Sequence, residues 1–194
     1  MQIALSFPHE YEVELLTSVP TEIRESIVIH PKGTSLVAGV PPAGVVVRFR
    51  LLDGVEWIAI FPRVQLTPFS GIFAAPSPKT AFVVIAGMPY LVDVEHKHGT
   101  VAEPVGTYNV VAAHEAALLL ASSATSVVAY DGAGIRWTTR RLSFDGIEIT
   151  NTSDSEISGT GWDPRSGSRV AFTIQVGTGD AHGGAAPGDE WISC

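Results

Sequence analysis

The densest run of side chains able to do chemistry is Asp93-Val94-Glu95-His96-Lys97-His98. Read as a strand, it points successive side chains to opposite faces, so His96 and His98 share one side and Asp93 and Glu95 the other. Two imidazoles so placed could hold a transition metal if a third ligand came from elsewhere. Lys97 between them opposes a bound cation, and Gly99 just beyond suits a charged strand end running into a loop. The second description accounts for the residues more simply, so no metal and no cofactor is assigned. A metal-dependent enzyme at His96 and His98 stays as the weakest alternative.

The other candidates thin out in the same way. His114-Glu115 has the composition of an acid–base pair, but neighbours diverge on a strand and suit a solvated turn. Asp131, Asp145 and Asp163 could be imagined as glycosidase carboxylates. Each sits in a turn dipeptide where Asp bonds its own backbone, which is reason enough for its presence. There is no Gly-x-Ser-x-Gly elbow and no Lys after Gly177-Thr178-Gly179 to make a phosphate loop. No catalytic residue is therefore assigned. What remains is a basic–aromatic set: Arg136, Trp137, Arg140 and Arg141 in one short stretch, with Trp162 further on. Trp and Arg are enriched where binding energy concentrates, and a positive patch on an acidic protein suits an acidic partner.

Composition narrows the partner class. The 194 residues carry 20 acids against 12 bases, a net charge of −8, which disfavours nucleic acid because that affinity rests on phosphate neutralisation. With 45% hydrophobic and 16% charged residues the chain has enough apolar area to fold. No run approaches the roughly 18 apolar residues of a membrane span, and the start, Met1-Gln2-Ile3-Ala4-Leu5, lacks the basic opening of a signal peptide. A cytoplasmic protein is expected. Cys194 is the sole cysteine, so no disulfide framework exists.

The elements that must position these residues read as strands. Nineteen Gly and thirteen Pro leave little room for long helices. Asp-Gly pairs at 53–54, 131–132 and 145–146 are hairpin signals at the edges of apolar or alternating runs. Strands are expected at 26–30, 35–40, 45–51, 56–61, 81–86, 90–96, 118–121, 127–130, 135–139, 146–151, 156–161 and 170–176. Tyr108 to Ala121 reads as strand–turn–strand about His114-Glu115, and Pro20 to Glu25 has the composition of a single helical turn. Similar runs start at 45, 90, 127 and 171, spacings of 45, 37 and 44 residues, close to the forty of propeller blades. The expected fold is all-β, built of antiparallel hairpin units of roughly forty residues in a small propeller-like or β-sandwich arrangement. One domain spans 1–194, with a sub-boundary considered near 66 and a flexible tail over 185–194.

From Asp145 to Gly184 the order D-G-I-x-I, I-S-G-T-G-W-D-P, F-T-I-x-V-G-T-G and G-G, preceded by Arg136-Trp137 and Arg140, resembles the C-terminal part of a group of bacterial proteins without assigned function. The resemblance covers the last half of the chain; it implies a β-rich fold and carries over no activity. Trp162-Asp163 does not make a WD repeat: the dipeptide occurs once, before a turn, with no upstream Gly-His. The functional expectation is a non-enzymatic cytoplasmic protein-interaction module that meets an acidic partner protein, with no nucleic acid and no membrane. By analogy alone, an immunity or accessory role in bacterial competition suits a small acidic chain. The alternative is a small-molecule or carbohydrate-binding β domain using tryptophan faces.

Overall fold

The computed structural model describes residues 1–22, 25–38 and 43–185. Residues 23 and 24 of the expected helical turn, 39 and 40 of the expected strand, and 186–194 of the expected tail lie outside them, as do Trp191 and Cys194. Among the described residues the chain is all-β, eighteen strands in four sheets. They group into two compact units that divide after Gly106, so residue 66 falls inside the first.

The first unit holds β1 (Gln2–Ala4), β2 (Tyr11–Leu16), β3 (Glu25–His30), β4 (Gly33–Ala38), β5 (Gly44–Leu51), β6 (Glu56–Pro62), β7 (Gly71–Ala74), β8 (Thr80–Ile85), β9 (Met88–Asp93) and β10 (His98–Val101). The second holds β11 (Asn109–Ala113), β12 (Leu118–Ser122), β13 (Val127–Asp131), β14 (Gly134–Thr138), β15 (Ile147–Thr152), β16 (Glu156–Asp163), β17 (Ser168–Gln175) and β18 (Ala181–Gly183). The four sheets run β1-β7-β8-β9-β10, β2-β5-β6-β3-β4, β11-β12-β13-β14 and β15-β16-β17-β18. The runs starting at 45, 90, 127 and 171 belong to β5, β9, β13 and β17, one in each sheet. Three of them occupy the third position of a four-stranded antiparallel meander, the arrangement of a propeller blade.

A strand with one apolar face needs a second apolar layer to cover it. In the first unit Phe49, Trp57, Ala59 and Phe61 of one sheet meet Ile72, Val83, Tyr90 and Val92 of the other in one buried cluster. Tyr11 meets Phe49 edge to face at 6.1 Å between ring centroids, Phe49 stacks on Trp57 at 5.0 Å, and Phe61 lies 5.3 Å from Tyr90. β6 is buried on both faces, since Ile58 and Ile60 pack with Val28 and Val46 on the reverse side. In the second unit Leu118, Leu120, Ala129 and Trp137 meet Ile147, Ile157, Phe172 and Ile174.

Two of the three Asp-Gly pairs form hairpin turns, and each Asp accepts a backbone N–H two residues on: Asp53 from Val55 at 3.0 Å and Asp131 from Ala133 at 2.8 Å. The third, Asp145-Gly146, turns no hairpin; it lies in the segment leading into β15. A strand over 90–96 is not what forms. β9 stops at Asp93 because its carboxylate accepts the His96 N–H at 2.9 Å and closes a turn. The parallel pairs β1–β7 and β3–β6 were not anticipated, because neighbours distant in sequence leave no local signal.

Turns of four residues connect β9 to β10, β11 to β12 and β16 to β17, ending at Lys97, Ala117 and Gly167 with φ of 55°, 51° and 61°. The second is the strand–turn–strand expected at His114. Left-handed backbone suits glycine and strains residues with a Cβ. Ala117→Gly is expected to raise stability by about 0.5–1 kcal/mol, whereas Gly167→Ala lowers it. Thermal melts of the two variants check the pair, and equal shifts would contradict the assignment.

Candidate binding surface

The stretch that carries the arginines joins β14 to β15 without regular structure, and it is held by its backbone. Leu142 N–H donates to Thr125 at 2.8 Å, Gly146 N–H to Ala124 at 2.9 Å and Phe144 N–H to Trp162 at 2.9 Å. Ser143, fully buried, accepts the Trp162 N–H at 2.8 Å and the Asp145 N–H at 3.2 Å, and donates to the Gly146 carbonyl at 2.9 Å. Gly161 fits beside this strap because a Cβ there would sit 2.3 Å from the Leu142 carbonyl oxygen. The strap thus ties the Arg140–Phe144 segment to the end of β16, where Trp162 stands.

The five residues singled out from sequence separate into four roles. Trp137 is core: its ring is buried and its Nε1–H donates to the Val176 carbonyl at 2.7 Å. Arg136 sits at the bulge where the β13–β14 register shifts, exposed, 3.7 Å from Asp131. Arg140 clamps backbone, donating to the carbonyls of Arg141 at 3.0 Å, Ala181 at 3.3 Å and Gly183 at 2.7 Å. Arg141 is different. It is exposed, its guanidinium lies 5.3 Å from the Phe144 ring centroid, and it makes no ion pair among the described residues. Trp162 is 36% exposed on the outward face of β16.

Parity explains Trp162. Ile157, Gly159, Gly161 and Asp163 are buried, so Ser158, Thr160 and Trp162 face outward. Its cross-strand partner is Arg169, which is anchored by Thr160 at 2.8 Å to Oγ1 and 2.9 Å to the carbonyl, and lies 3.6 Å from Glu148. The strap's backbone bonds thus bring the segment with Arg141 and Phe144 to the end of β16, where Trp162 and Arg169 are cross-strand partners. Phe144 was missed in the sequence; its only signal there is a ring three residues after an arginine.

The remaining candidates are occupied by the fold. Trp57 is buried and donates to the Val94 carbonyl at 3.0 Å, so of the described tryptophans only Trp162 offers a face. His96 does not share a strand side with His98: its Nδ1 contacts Asp93 at 2.9 Å within the turn, and His98 opens β10 opposite Asp93. Burial alone would raise the Asp93 carboxyl, but the His96 backbone N–H and ring outweigh it and hold the group below the usual carboxylate range. Asp163 is similar: burial opposes ionisation, and the Arg165 backbone and guanidinium, both 3.1 Å away, hold its carboxyl down. Among the described residues no three His, Cys, Asp or Glu gather into a metal-binding group.

No family model and no curated protein matches the chain. Solved structures do. The N-terminal domain of Nup159 is similar at 12% identity and a TM-score of 0.41 over all of this chain and 56% of that one. A chain from the S. cerevisiae assembly of Dbp5 bound to Nup159, Gle1, IP6 and ADP is similar at 13% identity and a TM-score of 0.43, over 99% of this chain and 54% of that one. The chain spans about half the length of these structures.

Adjacent arginines with different bonding should respond differently to loss of charge. Arg140→Gln gives up three guanidinium–carbonyl bonds at an exposed site, for about 1–2 kcal/mol, while Arg141→Gln changes stability by less than about 0.5 kcal/mol. Denaturant unfolding of the two variants checks this, and indistinguishable midpoints would remove the distinction.

Proposed function

We propose that this chain is a protein-interaction module that docks an acidic segment of a partner protein on the Arg141, Phe144 and Trp162 surface of its second unit. The observation that carries the reading is the state of Arg141. Arg136, Arg165 and Arg169 are within 4 Å of a carboxylate and Arg140 is spent on carbonyls. Arg141 alone among them holds its charge over a ring with no carboxylate beside it. A guanidinium already positioned by an aromatic loses less freedom on binding than a mobile one, and an exposed tryptophan nearby supplies apolar contact area.

The reading is non-enzymatic: the turn aspartates 93, 131 and 163 hold backbone N–H groups, a structural task that explains their presence. Its setting is cytoplasmic, and an immunity or accessory role remains the form of it that the acidic composition suits.

The test is affinity capture from host lysate with wild-type bait, compared with Arg141→Glu and Trp162→Ala baits. A stoichiometric partner retained by wild type and lost by both variants, with melts unchanged within a few degrees, is the expected result. Capture that survives both substitutions would overturn the surface.

A further inference from the structure

The first unit contains a second feature, built from different residues. On one side of its two sheets the edges are joined: the Thr34 hydroxyl on β4 donates to the Gly99 carbonyl and accepts the Gly99 N–H of β10, both at 2.9 Å. Gly99 is required there, because a Cβ would lie 2.6 Å from Ile29. The other edge strands, β1 and β2, each pair on one side only, with β7 and β5. Beside them opens a cleft of about 900 Å³, at the upper end of the roughly 300–1,000 Å³ typical of small-molecule sites.

Its walls are preformed. Leu66 and Thr67 both donate N–H to the Ala86 carbonyl, at 2.9 and 3.0 Å, and Gly87 N–H donates to the Phe69 carbonyl at 2.9 Å. These bonds fix the segment after β6 against the β8–β9 turn. The lining is mixed: Leu15, Val45 and Phe69 give apolar surface, and Gln2, Gln65 and Ser70 give polar surface. Among the described residues Arg63 is the only charged side chain lining it, exposed and without an ion pair or hydrogen bond. Ser70 also lines the cleft; its Oγ accepts the Ala86 N–H at 2.8 Å, which leaves the hydroxyl proton to be donated.

We infer that this cleft binds a small amphipathic carboxylate: an apolar body against Leu15, Val45 and Phe69 with its carboxylate toward Arg63 and Ser70. A guanidinium offers two parallel N–H donors that match a carboxylate's two oxygens. A single guanidinium side chain among the described lining residues suits a ligand with one carboxylate. The apolar body replaces water on exposed leucine and methionine surface, Leu15 at 37% and Met1 at 49% exposure.

The experiment is an NMR titration of the ¹⁵N-labelled chain with octanoate and, separately, with 1-octanol. Saturable shifts of the Gly44, Ser70 and Ala86 amides by octanoate are expected, with affinity falling at least about tenfold in Arg63→Gln. Octanol should bind more weakly than octanoate and be indifferent to Arg63→Gln. Arg141→Glu should leave the titration unchanged, which separates this cleft from the surface on the second unit. The inference is overturned if octanoate produces no saturable shift, if shifts map outside the cleft, if octanol binds as well, or if Arg63→Gln, with an unchanged melt, keeps full affinity.

Discussion

In each unit a buried tryptophan reaches from one sheet and hydrogen-bonds a backbone carbonyl at the end of a strand in the other. Trp57 on β6 donates to Val94, just past β9, and Trp137 on β14 donates to Val176, just past β17. The ring fills the space between two apolar faces, and the indole N–H finds a partner that such a space rarely offers. Removing a ring of this size from a core costs about 3–5 kcal/mol. The ion pairs of the outer faces, such as Arg48–Glu14 and Arg50–Glu12, are exposed and worth about 0–1 kcal/mol each. Burial around these two indoles, rather than surface charge, therefore holds the sheet pairs together. Gly179 records the tightness of the second: with φ of +77° it packs where a Cβ would stand 2.7 Å from the Trp137 ring.

That constraint also decides which aromatic is left for binding. Because Trp137 is committed to the core and Arg140 to the carbonyls of β18, the strap from Thr139 to Gly146 has little freedom, and Arg141 and Phe144 are presented on it from a fixed backbone. Thr139 adds to this, buried, accepting the Val127 N–H at 3.0 Å. The outward face of β16 supplies Trp162 without disturbing the packing beneath, since Gly159 and Gly161 on its inward face leave room for Phe172 and for the strap. The surface proposed for binding is a by-product of where the core required small and large residues.

Much of the fold was legible. Alternation in β15 and β17 and the Asp-Gly turns at 53 and 131 reflect local physics that short segments carry by themselves, and the spacing of about forty residues between similar runs showed their repetition. The parallel joining of Gln2–Ala4 to Gly71–Ala74 was not legible, because pairing partners so far apart are chosen by burial of the whole sheet. β2 reads Tyr-Glu-Val-Glu-Leu, a full alternation, and could have been found. The site was legible in composition only. Arg140 and Arg141 are chemically identical neighbours, and only the fold shows that one is a clamp and the other is exposed. Trp162 lies five positions from buried Ile157, an odd offset that already placed it on the opposite face.

The most direct measurement is the solvent exchange of the indole N–H protons, assigned by single Trp→Phe substitutions. The account requires the Trp57 and Trp137 signals to persist in deuterated solvent while the Trp162 signal vanishes at once. A protected Trp162, or a rapidly exchanging Trp137, would mean that the core and the binding surface have been assigned to the wrong rings.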